Sequence, residues 1–590
     1  MTRTGSQHLG HGVRNSGSRR AGWIAVLLVG VGGMGGCARE SVDSRVDRLL
    51  GLTSARLGES ARIVERGKTS SRGNPDGGLE APGTVNPSAS ELRYTPAGEF
   101  KAYSESMARG SMSGDGVAGA DVAEATSLSL SGALRAAQSG GREFKSAEED
   151  YILAAISLLI ERHLWGPRFF NDTSAELSGE GTAGDFQNAM GVVNRLRMTK
   201  RLPFGGEVEA SWVFRASEQL REQATGRYTQ SSSLVLSGSM PLLRGFGSVA
   251  REDLIQAERT LVYRARSFER FRRTHLVDIA TDFFDLKQAQ ASIANLERQL
   301  EALEHLEKST QARVEAGRLD AFQTSIATSR VLAAQASLRG QRETYRLRLD
   351  RFKVRLGLAP EAAVRIAEID LDIPDPVLDE DAATRAALEY RLDLQNSRDQ
   401  VLDAERGVAN ARDAVRPDLS LDASVEIPSD PGERVGLSPS GDDANYTLGA
   451  TFSMPLDRET ERLGVRQAEI RLSQQERSYE QARDNVIVSV RAATRSIDVA
   501  RFQLLLAKQQ VEINRRRLQG QQLKADSVNP QTLVDSLNEL LDAENNRDRA
   551  QTDLRTAILN YLLESDQLRV SRDGSMERLP GMDDAPAQGP

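Results

Sequence analysis

Side chains able to do chemistry are few in this 590-residue chain, and they stand far apart. The five histidines, at 8, 11, 163, 275 and 305, have no partner at metal-ligand spacing. No serine sits in a nucleophile elbow, and no phosphate loop occurs. Gly30-Val31-Gly32-Gly33-Met34-Gly35 satisfies GxGxxG. A dinucleotide loop, however, must leave a strand and open a helix inside a folded unit, and this copy lies in a segment expected to be cleaved away. His163 and Trp165 read as packing or interface residues, and the acid-rich face from Glu297 to Glu307 as solvated. The sequence points away from an enzyme and implies no catalytic residue, no metal and no cofactor. It points away from nucleic acid as well, because 84 acidic against 76 basic side chains leave a net charge of -8 and no basic face.

One chemical handle remains, the single cysteine. It cannot form an internal disulfide or a cysteine zinc site. Its position carries the meaning: Arg3, Arg14, Arg19 and Arg20 precede an uncharged apolar run, residues 21–36, and Cys37 follows directly. That order is an export signal, since the run is shorter than the roughly 20 residues that span a bilayer. Met34-Gly35-Gly36-Cys37 resembles a lipobox, in which small residues precede a cysteine that is diacylated and becomes the new N-terminus. An ordinary secretory signal or an inert thiol is the alternative. Each buried methylene contributes about 0.8 kcal/mol, so two or three acyl chains would anchor the chain stably.

The remaining elements must be long and thin. Only 39% of residues are apolar and 5% aromatic, too few for the roughly four globular cores that this length would otherwise imply. Residues 38 to about 125 show no sustained period and read as a tether, and residues 571–590 as a loose tail. Between them the chain repeats itself. Ser239-Met240-Pro241-Leu242 recurs as Ser453-Met454-Pro455-Leu456, which puts Pro241 and Pro455 at matching strand-to-helix junctions. From about 248 to 315 there is no proline and little glycine, a helix of roughly 68 residues or about 100 Å. Its seam, Leu286, Ala289, Ile293, Leu296, Leu300 and Leu303, steps in heptads, and Leu504, Ala507, Val511, Asn514 and Leu518 repeat the register. Return helices are expected at about 320–357 and 530–567. Phe169–Gly179, Ser233–Met240, Leu419–Glu426 and Tyr446–Met454 alternate polar and apolar side chains, the pattern of a membrane barrel strand or of a soluble hairpin. Residues 191–215 insert a further hairpin-like pair turning at Pro203-Phe204-Gly205-Gly206, with no counterpart in the second half. It reads either as an elongated external loop or as an extension of the first strand.

These residues converge on a family. Ser239-Met240-Pro241-Leu242-Leu243-Arg244-Gly245-Phe246-Gly247 resembles the QPLLRGFG stretch of the TolC-like outer membrane efflux proteins. Tyr390-Arg391-Leu392-Asp393-Leu394 resembles the R-x-D-L that opens that family's second half, and Arg416-Pro417-Asp418-Leu419 its proline before the third strand. The ordered set covers about residues 128–570. The resemblance implies a fold that is mostly α with membrane β: a duplicated strand and long-helical-hairpin unit, four strands per chain, and a trimeric 12-stranded β-barrel continuous with a periplasmic α-helical coiled-coil barrel. It implies a lipid-anchored outer-membrane exit duct of a tripartite efflux or type I secretion system. Its partners would be two further copies, a periplasmic adaptor, an inner-membrane pump and outer-membrane lipid. A periplasmic coiled-coil scaffold without a pore is the alternative.

The same resemblance selects the hairpin tips as gate and adaptor-docking site. Gly317 and Arg318 open the first tip, and Gln323 occupies the position that Asp535 holds in the second. Ser527-Val528-Asn529-Pro530-Gln531-Thr532-Leu533-Val534-Asp535 resembles the family's S-V-G-x-x-T-I-V-D. Asn529 replaces the glycine, a substitution compatible with left-handed backbone. Asp535 matches an aspartate that rings the closed tip in the family, and Asn538 stands where the next one would be. Plain hairpin caps and turns are the competing reading, and Asp320 is expected to cap the first return helix. The expected organisation is signal peptide 1–36, lipidated N-terminus and Ser/Gly-rich tether 37–125, first repeat 126–375, second repeat 376–570 and tail 571–590.

Overall fold

The computed structural model describes residues 42–57, 126–182, 185–220, 229–369, 375–429, 443–524, 529–570 and 576–577. The chain divides into two units, one ending at Leu49 and the other starting at Leu50. Helix α1 (Val42–Leu57) lies in the stretch read as tether. Val42, Val46, Leu49 and Leu50 recur at helical spacing there, over too few turns to stand out from their Ser/Gly-rich surroundings.

In the larger unit a short strand β1 (Thr126–Leu128) leads into α2 (Leu130–Gly140) and α3 (Arg142–Leu164). Four strands follow: β2 (Arg168–Thr182), β3 (Asp185–Arg201), β4 (Glu207–Leu220) and β5 (Thr229–Pro241). Helix α4 (Glu252–Glu315) then runs out and α5 (Phe322–Arg355) returns, ending at the short strand β6 (Val364–Ile366). A second pass comprises α6 (Glu380–Tyr390), α7 (Leu392–Ala414), β7 (Asp418–Pro428), β8 (Asn445–Ser453), α8 (Glu459–Leu523) and α9 (Pro530–Glu564). The strands β9 (Arg569–Val570) and β10 (Met576–Glu577) pair with each other after it.

The passes match in length: α2 and α6 have 11 residues each, α3 and α7 have 23, α4 and α8 have 64 and 65, and α5 and α9 have 34 and 35. The fold is therefore a duplicated strand and helical-hairpin unit. Both passes open with a side-chain N-cap, Ser129 accepting from the Gly132 amide and Asp379 from the Ala382 amide. Parallel pairing of β1 with β6 ties the start of the first pass to its end.

The main core lies where α2, α4, α6, α8 and α9 meet, around Leu134, Phe283, Phe284, Ile497 and Tyr561. Leu286, Ala289, Leu296 and Leu303 of the first seam are buried, as are Val511, Asn514 and Leu518 of the second. Single-sided seams on helices this long leave most side chains in water, which accounts for the low apolar content. The end of α5 meets the end of α2 at very close range. Gly357 adopts φ 78, and a Cβ on it would lie 2.0 Å from the Gly140 carbonyl oxygen.

Charge is buried in the same region. On α4, Arg273 donates to Glu269 at 2.9 Å and to Asp566 at 2.8 Å, just beyond α9. Asp566 has φ 57, the left-handed region that Asp and Asn tolerate better than most residues. His275, two residues along, is buried beside Phe271 and Phe144 and faces Glu143 at 3.6 Å. Desolvation, aided by Arg355, holds its pKa below the ordinary 6.5. As pH falls the unfolded chain takes up this proton first, so stability rises with pH across that interval. The contribution of neutral His275 should be complete above about pH 6.5 and be lost as pH drops toward the folded value. Thermal midpoints measured from pH 7.5 to 5 should fall less steeply in His275→Phe than in the parent, and parallel curves would refute this.

Six of the strands form one antiparallel sheet in the order β2-β3-β4-β5-β7-β8. Four strands were expected, and the structure has six, because the hairpin inserted between β2 and β5 is neither an external loop nor a prolongation of one strand. β3 pairs with β2 over its length, β4 pairs with β3, and β5 is reached only through β4. Registers place Leu196, Trp212, Leu234 and Ile427 in one row across β3, β4, β5 and β7. The same face carries exposed Phe169, Leu177, Leu448 and Phe452. The opposite face is polar and crowded: Thr199, Ser211 and Ser233 are buried there, at 2%, 5% and 4% exposure, whereas Trp212 keeps 39%. Side chains crowd on the concave side of a curved sheet, so the sheet curls with its polar face inward and its apolar face outward. That is the polarity of a membrane barrel and the reverse of a soluble one. Among the described residues no helix is long and apolar enough to cross a membrane.

Candidate functional sites at the hairpin tips and strand-to-helix junctions

At the first tip α4 ends because Gly317 takes φ 69, letting the Arg318 amide reach back to the Arg313 carbonyl at 2.8 Å and the Gly317 amide to Val314 at 2.9 Å. Space around Gly317 is open, and Arg318 is exposed. Asp320 is not the helix cap expected of it. The N-cap is Ala321, without a side-chain bond, and Asp320 contributes only its carbonyl, accepting from the Gln323 amide at 3.0 Å. Gln323 is half-buried.

The second tip is built differently from the expectation. Asn529 has φ -62 rather than a left-handed angle, and its side chain accepts from the Gln531 amide at 3.0 Å, with Pro530 at the first helical position. Asparagine is there as an N-cap, not as a glycine substitute. Asp535 is exposed and accepts from Gln531 Nε2 at 2.9 Å. Asn538 turns sideways instead, its Oδ1 accepting from Gln299 of α4 at 2.7 Å. Ser527 and Val528 lie outside the described residues, as does Cys37.

The two tips lie at one end of the molecule's hairpins, since Leu303, Val331, Leu518, Leu533, Val534 and Leu537 from α4, α5, α8 and α9 share a small apolar cluster. A polar bracket lies beside it. Glu544 of α9 receives Arg298 of α4 at 2.9 Å and Arg515 of α8 at 3.5 Å. Nothing in the sequence marks this residue, because its partners lie on helices far away in the chain. Ion pairs with one exposed partner are worth about 0–1 kcal/mol, so the hairpins are held side by side by links that exchange at little cost.

At the other end of α4 the junction motif explains itself. Gly245 and Gly247 adopt φ 77 and 83. The Gly245 amide donates to Asp413 Oδ2 at 2.6 Å, and the Gly247 amide donates to the Phe204 carbonyl at 2.8 Å. Asp413 is buried at the end of α7 and is also held by Arg416 at 3.0 Å. Pro241 closes β5 and packs under Gly205, while Phe204 lies 6.3 Å from Phe246. The turn of the inserted hairpin is thus docked on the junction. Pro455 is exposed, and its carbonyl accepts from Arg458 at 3.2 Å. The R-x-D-L motif is structural too: Arg391 bonds Asp393 at 2.9 Å and reaches Glu564 of α9 at 2.6 Å.

Residues 383–569 match the family model described as outer membrane efflux protein. The second pass is similar to that family. Solved channels share the fold over both passes. The outer-membrane channel OprN is 17% identical with a TM-score of 0.57, over 76% of this chain and 90% of that one. The CmeC outer membrane channel of Campylobacter jejuni is 14% identical with a TM-score of 0.57, over 77% and 87%. The outer membrane protein VceC of Vibrio cholerae is 14% identical with a TM-score of 0.55, over 74% and 95%. No curated protein matches by sequence.

Proposed function

We propose that three copies of this chain form a passive exit duct across the outer membrane, carrying small molecules or proteins delivered from an inner-membrane pump through a periplasmic adaptor. The observation that carries the reading is the sheet: apolar outside, polar inside, and joined without interruption to two long hairpins that turn at the same end. A scaffold without a pore has no use for such a sheet. The hairpin tips, with Gly317, Arg318, Gln323, Asn529, Asp535 and Asn538, are the gate and the adaptor-docking end. The chain is read as leader 1–36, lipidated N-terminus and tether 37–125, repeats 126–375 and 376–570, and tail 571–590.

Purified protein reconstituted in planar bilayers should show conductance, and Asp535→Ala should raise the open fraction by removing a carboxylate that three copies bring together. Silence from both proteins would refute the duct. Cys37 is proposed to carry the lipid anchor. Radiolabelled fatty acid should be incorporated by the parent and not by Cys37→Ala, and label persisting in the variant would refute the anchor.

A further inference from the structure

The added hairpin lies inside the sheet, and that changes the pore. We propose that each copy contributes all six strands, so that the trimer closes an eighteen-stranded barrel, with β8 of one copy hydrogen-bonded to β2 of the next. The proposal rests on the duct reading above.

Three observations carry it. β3 and β4 are each flanked on both sides, with ladders of fifteen pairs to β2 and eleven from β4 to β5. Expelling the hairpin would break both ladders and leave their amides and carbonyls unpaired in lipid, which a membrane does not tolerate. The hairpin also obeys the polarity of the rest of the sheet. Leu196 and Trp212 point outward, while Arg197 lies inward between Asp172 at 3.0 Å and Glu209 at 3.9 Å, linking three strands. Its turn, finally, is fixed at the barrel base: a Cβ on Gly206 would meet the Ser239 carbonyl oxygen at 1.9 Å, and Phe204 receives the Gly247 amide.

The geometry closes. β2 leaves the helices and β8 returns to them, so their outer edges, unpaired among the described residues, meet antiparallel in neighbouring copies. Crossing the sheet from Arg168 along the hydrogen bonds leads through Thr199, Glu209, Ser237 and Ser424 to Thr447, six residues before the end of β8 at Ser453. If β2 of the next copy starts level with that end, the strands tilt by roughly 35°, at the edge of the usual range. Barrel width grows about linearly with strand number, so the bore is about half as wide again as with twelve strands, a width at which barrels hold an open aqueous channel. Cargo would be limited by the helical tip and not by the barrel.

Cysteine cross-linking in native membranes tests this, with the parent, which keeps Cys37, as control. Thr447→Cys combined in turn with Asp172→Cys, Ser174→Cys or Glu176→Cys should give covalent dimers and trimers on oxidation. Their absence at every register would overturn the trimeric duct and the strand count together. Ser174→Cys with Val193→Cys, opposite each other on β2 and β3, should form an intramolecular link, and Ser174→Cys with Ser231→Cys on β5 should not. Ala175→Cys with Val192→Cys, on the other face, repeats the test should the first pair fail to assemble. Intermolecular links together with a β2–β5 link, or without any β2–β3 link, would leave the duct standing and overturn the eighteen strands.

Discussion

Gly357→Ala should abolish assembly of the larger unit at growth temperature. Two costs act at one atom. The φ of 78 costs an alanine about 1–2 kcal/mol. Its Cβ would also sit 2.0 Å from the oxygen and 2.3 Å from the carbonyl carbon of Gly140, backbone atoms that cannot rotate away. Overpacking of this kind adds about 1–3 kcal/mol or more as helices separate. The total, on the order of 2–5 kcal/mol, is a large part of a typical folding stability. Gly317→Ala is the internal control: it has a similar φ of 69 but nothing within 4 Å, so it carries the strain alone. Recovered folded protein should be near wild type for Gly317→Ala and almost absent for Gly357→Ala. Equal yields would show that the contact between α2 and the end of α5 is not a constraint on the fold.

Asp566 should show the next largest effect, and a pair of variants separates charge from backbone. Asp566→Asn keeps the shape and the tolerance of φ 57 while removing the charge opposite Arg273. Arg273 retains Glu269 at 2.9 Å, so the loss should be about 1.5–3 kcal/mol, the worth of a hydrogen bond to a charged group. Asp566→Ala leaves the guanidinium half-paired in the interior and strains the backbone, for about 3–5 kcal/mol. Thermal midpoints should fall in the order parent, Asp566→Asn, Asp566→Ala. If the asparagine variant melts with the parent, the buried charge does not hold α9 to α4.

How far residues alone disclosed this molecule follows from what each periodicity can report. Heptads reveal a seam and its register, so α4 and the two return helices were legible to within a few residues, α8 by its seam alone, and so was the duplication. Alternation along a strand reports which face a residue takes. It does not report its neighbours, and for that reason Gly191–Arg215 could be recognised as a hairpin and yet not be placed inside the sheet between β2 and β5. Asn529 misled because asparagine suits both a left-handed turn and a helix N-cap, and only the backbone angle separates them. Asp320 misled because proximity to a helix start does not say which residue caps it. Asp413 and Glu544 gave no signal at all. One meets a backbone amide 168 positions away in the chain, and the other bridges helices from both passes.

The unequal division of strands between the passes sets a symmetry. The paired hairpins are near copies of each other, so the proposed trimer displays six almost equivalent spokes at its helical end. The sheet is split four and two, so the same trimer repeats only three times around its mouth, with the Arg197 charge lattice in three sectors. If the duct forms as proposed, an adaptor docking on the spokes can bind in a ring of six or of three, whereas the lining of the mouth alternates between arcs of paired charge around Arg197 and acidic arcs carrying Asp422 and Glu426.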